Sequence, residues 1–459
     1  MWHRLHFANI LLCISGIQSR QNIRDILYVN RESKIALERE FSSTKLQAAT
    51  CLALRKLIVH SYETVPFYRN LWEEFQINVS HLTTLDDLLR LPLVSRSDLQ
   101  LRPRQSIISK ESRRTKLRFT SGTIGTSRVV LKDVQAQLLS SITARRLFVE
   151  YGIPSGSNIL FVYSENRSPL SYETRISENW TRRIWVSIFD LIDSPQLATR
   201  LAADAIVGSP QQIEALAHFV YASNKVRPPK VFISIAELLD PRARQRIESL
   251  TGARVFDVYC SSEISTHIAF ECRYRHGFHI NSDYVHVEFL DSTGNPVQSG
   301  QRGEVVITDL FNFVSPLIRY RIGDIAKVTS GECSCGRALP LQIEHLDGRA
   351  TDQILLRSGQ SLNALPLVRE LQSVIPYSLT LVQESFEVFN LNCYPQNKNQ
   401  TNLPFDKAKQ IVNRYLGSDV TLNVSIDEIT NALSSTSGKI RAFTSRMPRN
   451  ENIVLDYSH

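Results

Sequence analysis

Between Asn158 and Tyr259, short β-rich runs alternate with helical patterns, and few architectures accommodate that alternation. Asn158 to Tyr163, Ala205 to Val207, Val231 to Ile235 and Val255 to Tyr259 read as strands, with helical patterns at Pro210 to Tyr221 and Pro241 to Leu250. The spacing predicts an α/β fold, a parallel sheet covered by helices. Upstream, Leu46, Leu52, Leu54, Leu57 and Ile58 recur at helical spacing, and Pro66 biases Val65 away from helix, so Lys45 to Tyr68 reads as a helical region. From His286 the runs lengthen and carry turn signals at Asp291 to Pro296 and Ser299 to Gly303, followed by Glu304 to Thr308, which predicts an antiparallel, β-rich subdomain. After Arg349 come a strand-like Gln353 to Leu356, a helix from Leu365 to Ser373, paired strands Ser378 to Glu384 and Phe386 to Tyr394, a helix from Phe405 to Leu416 and a strand from Val420 to Ile426. That order is ferredoxin-like. It divides the chain into a large N-terminal domain, residues 1–348, and a small α+β C-terminal domain, residues 349–459.

A chain of 459 residues with 42% hydrophobic and 21% charged residues is long enough for a large core and is neither disordered, collagenous nor coiled-coil. Its 53 Lys and Arg against 45 Asp and Glu give +8, spread without long basic runs, so no nucleic-acid partner is expected. Seven cysteines in such a length do not make a disulfide framework, which points to the reducing cytoplasm. The apolar stretch Ile10 to Ile14 is too short for an export signal and reads as part of a buried first helix. No stretch reaches the length of a membrane span, and no membrane partner is expected.

Three segments carry candidate chemistry. Thr120-Ser121-Gly122-Thr123-Ile124-Gly125-Thr126-Ser127-Arg128 is rich in small and hydroxylated residues, the composition that lets backbone N–H groups and hydroxyls approach phosphate oxygens. It lacks the Gly-Lys-Ser/Thr ending of a Walker A loop, and as a bare pattern it also fits a hairpin turn. Tyr259-Cys260-Ser261-Ser262-Glu263 follows a strand, where open α/β sheets bind ligands, and Glu263 suits Mg²⁺ beside phosphates. The bland account is a helix capped by Ser261 or Ser262. In Pro316 to Asp324, Asp324 after Gly323 suits ribose hydroxyls; the bland account puts Arg319 and Arg321 on a solvated face of an ordinary strand.

In this order the segments resemble the core motifs of the adenylate-forming (acyl- and aryl-CoA ligase) superfamily, nearest its phenylacetate-CoA ligase and CapK-like branch. Val65 to Arg69, Leu91-Pro92-Leu93, Gly208-Ser209-Pro210, Glu237-Leu238-Leu239, Gly303 to Val306, Gly348-Arg349 and the terminal Ser437-Gly438-Lys439-Ile440-Arg441 extend the resemblance from near Leu46 to near Arg441. It implies that ATP activates a carboxylate to an acyl-adenylate, which then passes to coenzyme A or, in a variant of the same chemistry, to an amine, an amino acid or a carrier-protein thiol. It further implies that Thr120, Ser121, Gly122, Thr123, Gly125 and Thr126 hold the triphosphate, with Tyr259, Ser261 and Ser262 also at the nucleotide. Glu263 would hold Mg²⁺, Asp324 the ribose, Arg349 would lie near ribose and phosphate, and Lys439 would bridge carboxylate and α-phosphate. The small domain would turn between half-reactions about a hinge just after Arg349, where Thr351 and Asp352 stand. Three positions depart from the family pattern: Cys260 and Ala236 replace usual glycines, and Ile124 replaces a usual hydroxylated residue. Those departures keep a non-catalytic nucleotide- or partner-binding relative in view.

Cys272, His279, Cys333 and Cys335 offer three thiolates and one imidazole, the ligand types of a tetrahedral Zn²⁺ set though not at the spacing of a standard finger, with His276 competing for the fourth place; the bland account is reduced, unconnected cysteines. Some members of the CapK-like branch carry a structural zinc at matching positions. Closed coordination assigns such a metal to stability rather than to catalysis.

Overall fold

The computed structural model describes residues 20–82, 84–111, 115–119, 129–163, 173–176, 181–222, 226–350, 352–358, 360–395, 404–435 and 440–447. The helical region near the N-terminus is three helices, α1 (Arg20–Arg39), α2 (Ser43–Thr64) and α3 (Pro66–Glu74). Pro66 ends α2 as expected, and it then takes the first turn of α3, where its missing N–H costs nothing. An antiparallel pair, β1 (Thr115–Phe119) and β2 (Val129–Asp133), leads into α4 (Val134–Glu150), capped by the Asp133 carboxylate on Ala136 N–H at 2.7 Å.

One sheet of twelve strands organises the molecule, in the order β11-β12-β13-β14-β10-β9-β8-β7-β6-β3-β5-β4. Its parallel part comprises β3 (Asn158–Tyr163), β5 (Arg182–Ser187), β6 (Ala205–Gly208), β7 (Val231–Ser234) and β8 (Arg254–Cys260), with β4 (Glu173–Ile176) antiparallel at the edge. β9 (His267–Glu271), β10 (Phe278–Ile280), β11 (Val285–Leu290), β12 (Arg302–Asp309), β13 (Tyr320–Val328) and β14 (Leu341–Arg349) complete it with antiparallel pairings. The antiparallel strands expected after His286 are therefore present, but they continue the parallel sheet instead of forming a second one.

Period-two alternation decides which side chain meets which layer. Ile159, Val207, Ile233, Phe256 and Val258 face α4 and pack on its Leu147 and Phe148. Leu160, Ile184, Ile206, Phe232 and Val255 face the other way, onto α5 (Pro210–Leu216) and α6 (Pro241–Thr251). Both helices begin where the sequence says they should: Ser209 and Gln212 form a capping box on α5, and Asp240 caps α6 before Pro241. The pattern expected to run on to Tyr221 leaves α-geometry after Leu216 and finishes as one π-turn.

Beyond β14, the pair β15 (Gln353–Leu355) and β16 (Ser361–Asn363) leads to α7 (Ala364–Val374). A four-stranded sheet then follows, in the order β19-β18-β17-β20, from β17 (Ser378–Gln383), β18 (Val388–Tyr394), β19 (Thr421–Ile426) and β20 (Phe443–Ser445). α7 and α8 (Phe405–Leu416) cover it over a core that includes Leu367, Leu371, Leu381, Leu391 and Val412. α9 (Ile429–Ser435) and the three residues of β20 are elements the sequence pattern does not reveal.

Candidate functional site

β8 ends at Cys260, and the chain turns through residues 261–266 into β9. No helix follows β8, so Ser261 and Ser262 are not helix caps: the Ser261 hydroxyl accepts the Glu263 N–H at 3.3 Å inside the turn, and Ser262 is exposed. The hydroxyl satisfies the turn's backbone in place of a helical bond. Glu263 is buried within that turn and accepts the Tyr320 hydroxyl on Oε1 at 3.1 Å.

Asp324 and Arg349 are register partners on adjacent antiparallel strands, β13 and β14. That register brings Arg349 Nε to 3.0 Å from Asp324 Oδ1, while the Tyr259 hydroxyl donates to Asp324 Oδ2 at 2.6 Å. Arg349 Nη1 also donates to the Ile322 carbonyl at 2.9 Å. Burial pushes the Asp324 carboxyl upward, and Arg349 and the Tyr259 bond oppose that push. The same burial, reinforced by the carboxylate, holds the Tyr259 phenol well above its usual range, so the phenol stays protonated and donates. Arg349 keeps 45% of its side chain exposed beside the carboxylate.

The Thr120 to Arg128 segment and Lys439 lie outside the described residues, but the strands that bracket the segment are placed. β1 and β2 pair antiparallel, with Phe119 opposite Val129. Lys132 of β2 ties this pair of strands to the Glu263 turn: its buried ammonium donates to the Ile264 carbonyl, and Asn312 Nδ2 donates to the Leu131 carbonyl at 3.0 Å. Asp309 accepts the Ser265 N–H at 2.8 Å, and the charge of Lys132 counters the upward push of burial on that carboxyl. The sequence reading missed Lys132, Asp309 and Tyr320. The available signal for Lys132 was a cation directly after three apolar residues of an expected strand; Tyr320 stood unremarked inside the third segment.

Arg319 does not lie on a solvated face. It is buried, with φ +48°, and its guanidinium holds Glu288 through bonds of 2.8 to 3.1 Å while also reaching the Leu89 and Leu91 carbonyls. Arg321 does remain part-exposed, paired with Glu304. Ala236, at a position where the family pattern has glycine, has φ +72°.

Cys272, His279, Cys333 and Cys335 converge, their ligand atoms all within 4.8 Å of one another. Cys272 Sγ is 3.5 Å from Cys333 Sγ, and Cys335 Sγ is 3.4 Å from His279 Nε2. Bonds of about 2.3 Å to a tetrahedral Zn²⁺ place sulfurs roughly 3.8 Å apart, close to these separations. His279 Nδ1 donates to the Leu339 carbonyl at 2.8 Å, which fixes the ring and leaves Nε2 for a metal. His276 is exposed and outside the cluster, so it is not the fourth ligand of this set.

No family model matches the chain. The phenylacetate-coenzyme A ligase of Thermus thermophilus is 27% identical over 340 residues, 68% of this chain and 72% of that protein. The Pseudomonas putida phenylacetate-coenzyme A ligase is 25% identical over 352 residues, 74% and 77% of the two chains. A solved 2-hydroxyisobutyryl-CoA ligase, in its postadenylation state with R3-HIB-AMP, superposes with a TM-score of 0.70 at 21% identity, covering 87% of this chain and 89% of that one. The chain has the fold of the adenylate-forming CoA ligases. By sequence it is similar to their phenylacetate-CoA ligase branch. Among the described residues, no helix is long and apolar enough to cross a membrane.

Proposed function

We propose that the protein activates a carboxylic acid with ATP and transfers the acyl group to coenzyme A. The observation that carries this reading is Asp324, held between the Tyr259 hydroxyl and Arg349 beside the turn that bears Glu263. In the first half-reaction a substrate carboxylate oxygen attacks the α-phosphorus of ATP and pyrophosphate leaves. In the second, the thiol of coenzyme A attacks the acyl carbon and AMP leaves. Two anions must meet in the first step, so the site has to neutralise charge and fix the line of attack.

On this reading Asp324 accepts ribose hydroxyls, Arg349 turns its exposed edge to ribose and phosphate, and Glu263 holds Mg²⁺ at the phosphates. Thr120, Ser121, Gly122, Thr123, Gly125 and Thr126 cradle the triphosphate, with Ser261 and Ser262 at its margin. Lys439 bridges the carboxylate and α-phosphate, a point-charge role suited to an ammonium on a flexible stem. Residues 349–459 act as a lid that turns after Arg349 between the two half-reactions. Cys272, His279, Cys333 and Cys335 hold a structural Zn²⁺, a thiolate set that fits the reducing cytosol.

The test is pyrophosphate release from ATP over a panel of aryl, fatty, hydroxy and amino acids, with Glu263→Gln as control. Release that requires one acid class and falls at least tenfold in the control supports adenylation, and acyl transfer from the adenylate to coenzyme A, against an amine or a carrier thiol, identifies the acceptor. Lys439→Ala should lose adenylation while keeping thioester formation from supplied acyl-adenylate. A folded protein that binds ATP and releases nothing with any acid overturns the reading, and the departure at Cys260 then favours a non-catalytic nucleotide-binding protein.

A further inference from the structure

Two hydrogen bonds cross between β13 and the stretch formed by β8 and the turn after it. The Tyr259 hydroxyl of β8 donates to Asp324 Oδ2 of β13 at 2.6 Å, and the Tyr320 hydroxyl of β13 donates to Glu263 Oε1 of the turn at 3.1 Å. Each segment lends a phenol to the other's carboxylate. The roles above use both carboxylates and assign nothing to Tyr320.

Tyr320 is held firmly. It is buried, opens β13 opposite Ile307 of β12, and is flanked by bonds to Val94, whose N–H donates to the Arg319 carbonyl at 2.9 Å and whose carbonyl accepts the Arg321 N–H at 2.8 Å. The turn is fixed on its own side as well: Ser261 Oγ accepts the Glu263 N–H, the Lys132 ammonium donates to the Ile264 carbonyl, and Asp309 accepts the Ser265 N–H at 2.8 Å. With the backbone bonded at and after Glu263, the freedom left is rotation of its side chain, and the Tyr320 hydroxyl bonds that side chain.

Among the described residues, Glu263 forms no ion pair, and its carboxylate accepts a hydrogen bond on Oε1 alone. Arg349 pairs with Asp324 instead, and Lys132 bonds the turn's backbone. Burying a carboxylate without a cation is costly, and a hard divalent ion on its oxygen is the partner that fits. We propose that Tyr320 is a positioning residue for the metal: by bonding Oε1 it holds the Glu263 carboxylate in one rotamer and leaves Oε2 for the Mg²⁺ that accompanies ATP. This rests on the adenylation reading and adds the group that orients its metal ligand. Donors behind a ligating carboxylate fix its orientation, and losing one costs about 10–100-fold in metal affinity or activity.

The experiment measures the Kd for ATP by calorimetry, once in chelator and once in saturating Mg²⁺, for the wild-type protein, Tyr320→Phe, Glu263→Gln and the double variant. The ratio of the two constants is the strengthening that the metal supplies, and taken within one protein it cancels any change in nucleotide affinity that both conditions share. Mg²⁺ should strengthen binding to the wild-type protein. Tyr320→Phe, which keeps the ring and removes only the hydroxyl, should lose most of that strengthening, a fall of up to about tenfold, while its Kd in chelator stays within about twofold of wild type. Once Glu263→Gln is present, Tyr320→Phe should lower the ratio no further. An unchanged ratio in Tyr320→Phe, an equal weakening with and without the metal, or a fall that persists in full in the Glu263→Gln background overturns the proposal. Wild-type binding that Mg²⁺ does not strengthen overturns it together with the metal role of Glu263. The adenylation reading is judged apart from these outcomes, by whether any acid drives pyrophosphate release.

Discussion

Arg319 shows what a single backbone angle can change. Strand periodicity puts Arg319 and Arg321 on one side, and Arg321 obeys, but φ +48° at Arg319 turns its side chain inward onto Glu288. Burial raises the Glu288 carboxyl, and the bonded guanidinium opposes the rise. Arg319→Met therefore leaves a buried carboxylate without its partner and should cost about 3–5 kcal/mol in urea unfolding, while Arg319→Met with Glu288→Met should recover most of that loss. No pattern of residue types announces a positive φ at a non-glycine residue, which is why this pair was illegible in the sequence. Ala236 is the converse case, because the family pattern has glycine there and φ +72° is the conformation glycine favours. The sequence singles out Asp324 by its place after Gly323 and Arg349 only through the family resemblance, and neither signal says that the two meet, which the β13–β14 register decides. The bond from Tyr320 to Glu263 is illegible for a like reason, because those residues come together only through the sheet.

At the scale of elements, alternation and caps carried the prediction well where a strand or helix buries one clear face. Cleanly repeating apolar positions mark α8 over its observed bounds, whereas β20 has three residues and its place depends on pairing with β17. The zinc set depends on elements in the same way. Cys272 follows β9, His279 lies in β10, and Cys333 and Cys335 lie in the connection from β13 to β14, so one ion would join three neighbouring parts of the sheet. The connection is also held from below, since Arg337 bonds Glu150 of α4 and lies 3.5 Å from Glu40. Three cysteines and a histidine spread over some sixty residues reveal ligand types in sequence but not their meeting point, to which the β10–β14 pairing contributes. Metal analysis of the purified protein should find about one zinc per chain, and a strong chelator should lower the thermal midpoint by several degrees, reversibly on adding Zn²⁺. Cys333→Ser should abolish both the zinc content and the chelator response; an unchanged midpoint in chelator would contradict a structural metal.

The whole molecule adds a constraint that neither residues nor elements contain. α9 and Ile440 belong by sequence to the small unit, yet Ile429, Leu433 and Ile440 are buried in the apolar cluster that α5 makes with the parallel sheet. Gln211 Nε2 donates to the Ile440 carbonyl at 3.3 Å, Arg369 reaches Asp347 at 2.8 Å, and the Ser378 hydroxyl donates to Glu214 at 3.3 Å. The apolar contacts dominate, because part-exposed ion pairs contribute roughly 1 kcal/mol at most whereas a buried leucine cut to alanine loses about 2–5 kcal/mol. Gly348, beside the proposed hinge, has φ +96°, and a Cβ there would come within 2.7 Å of the Leu365 side chain on α7, which would have to shift. If residues 349–459 turn between half-reactions, this docked face must separate for the second step and reform for the next first step. Leu433→Ala removes part of the docking without touching the nucleotide residues. It should slow pyrophosphate release several-fold, because the docked arrangement is populated less, and it should leave thioester formation from supplied acyl-adenylate unslowed. Equal slowing of the two half-reactions would mean that the docked face supports folding alone and takes no part in the cycle.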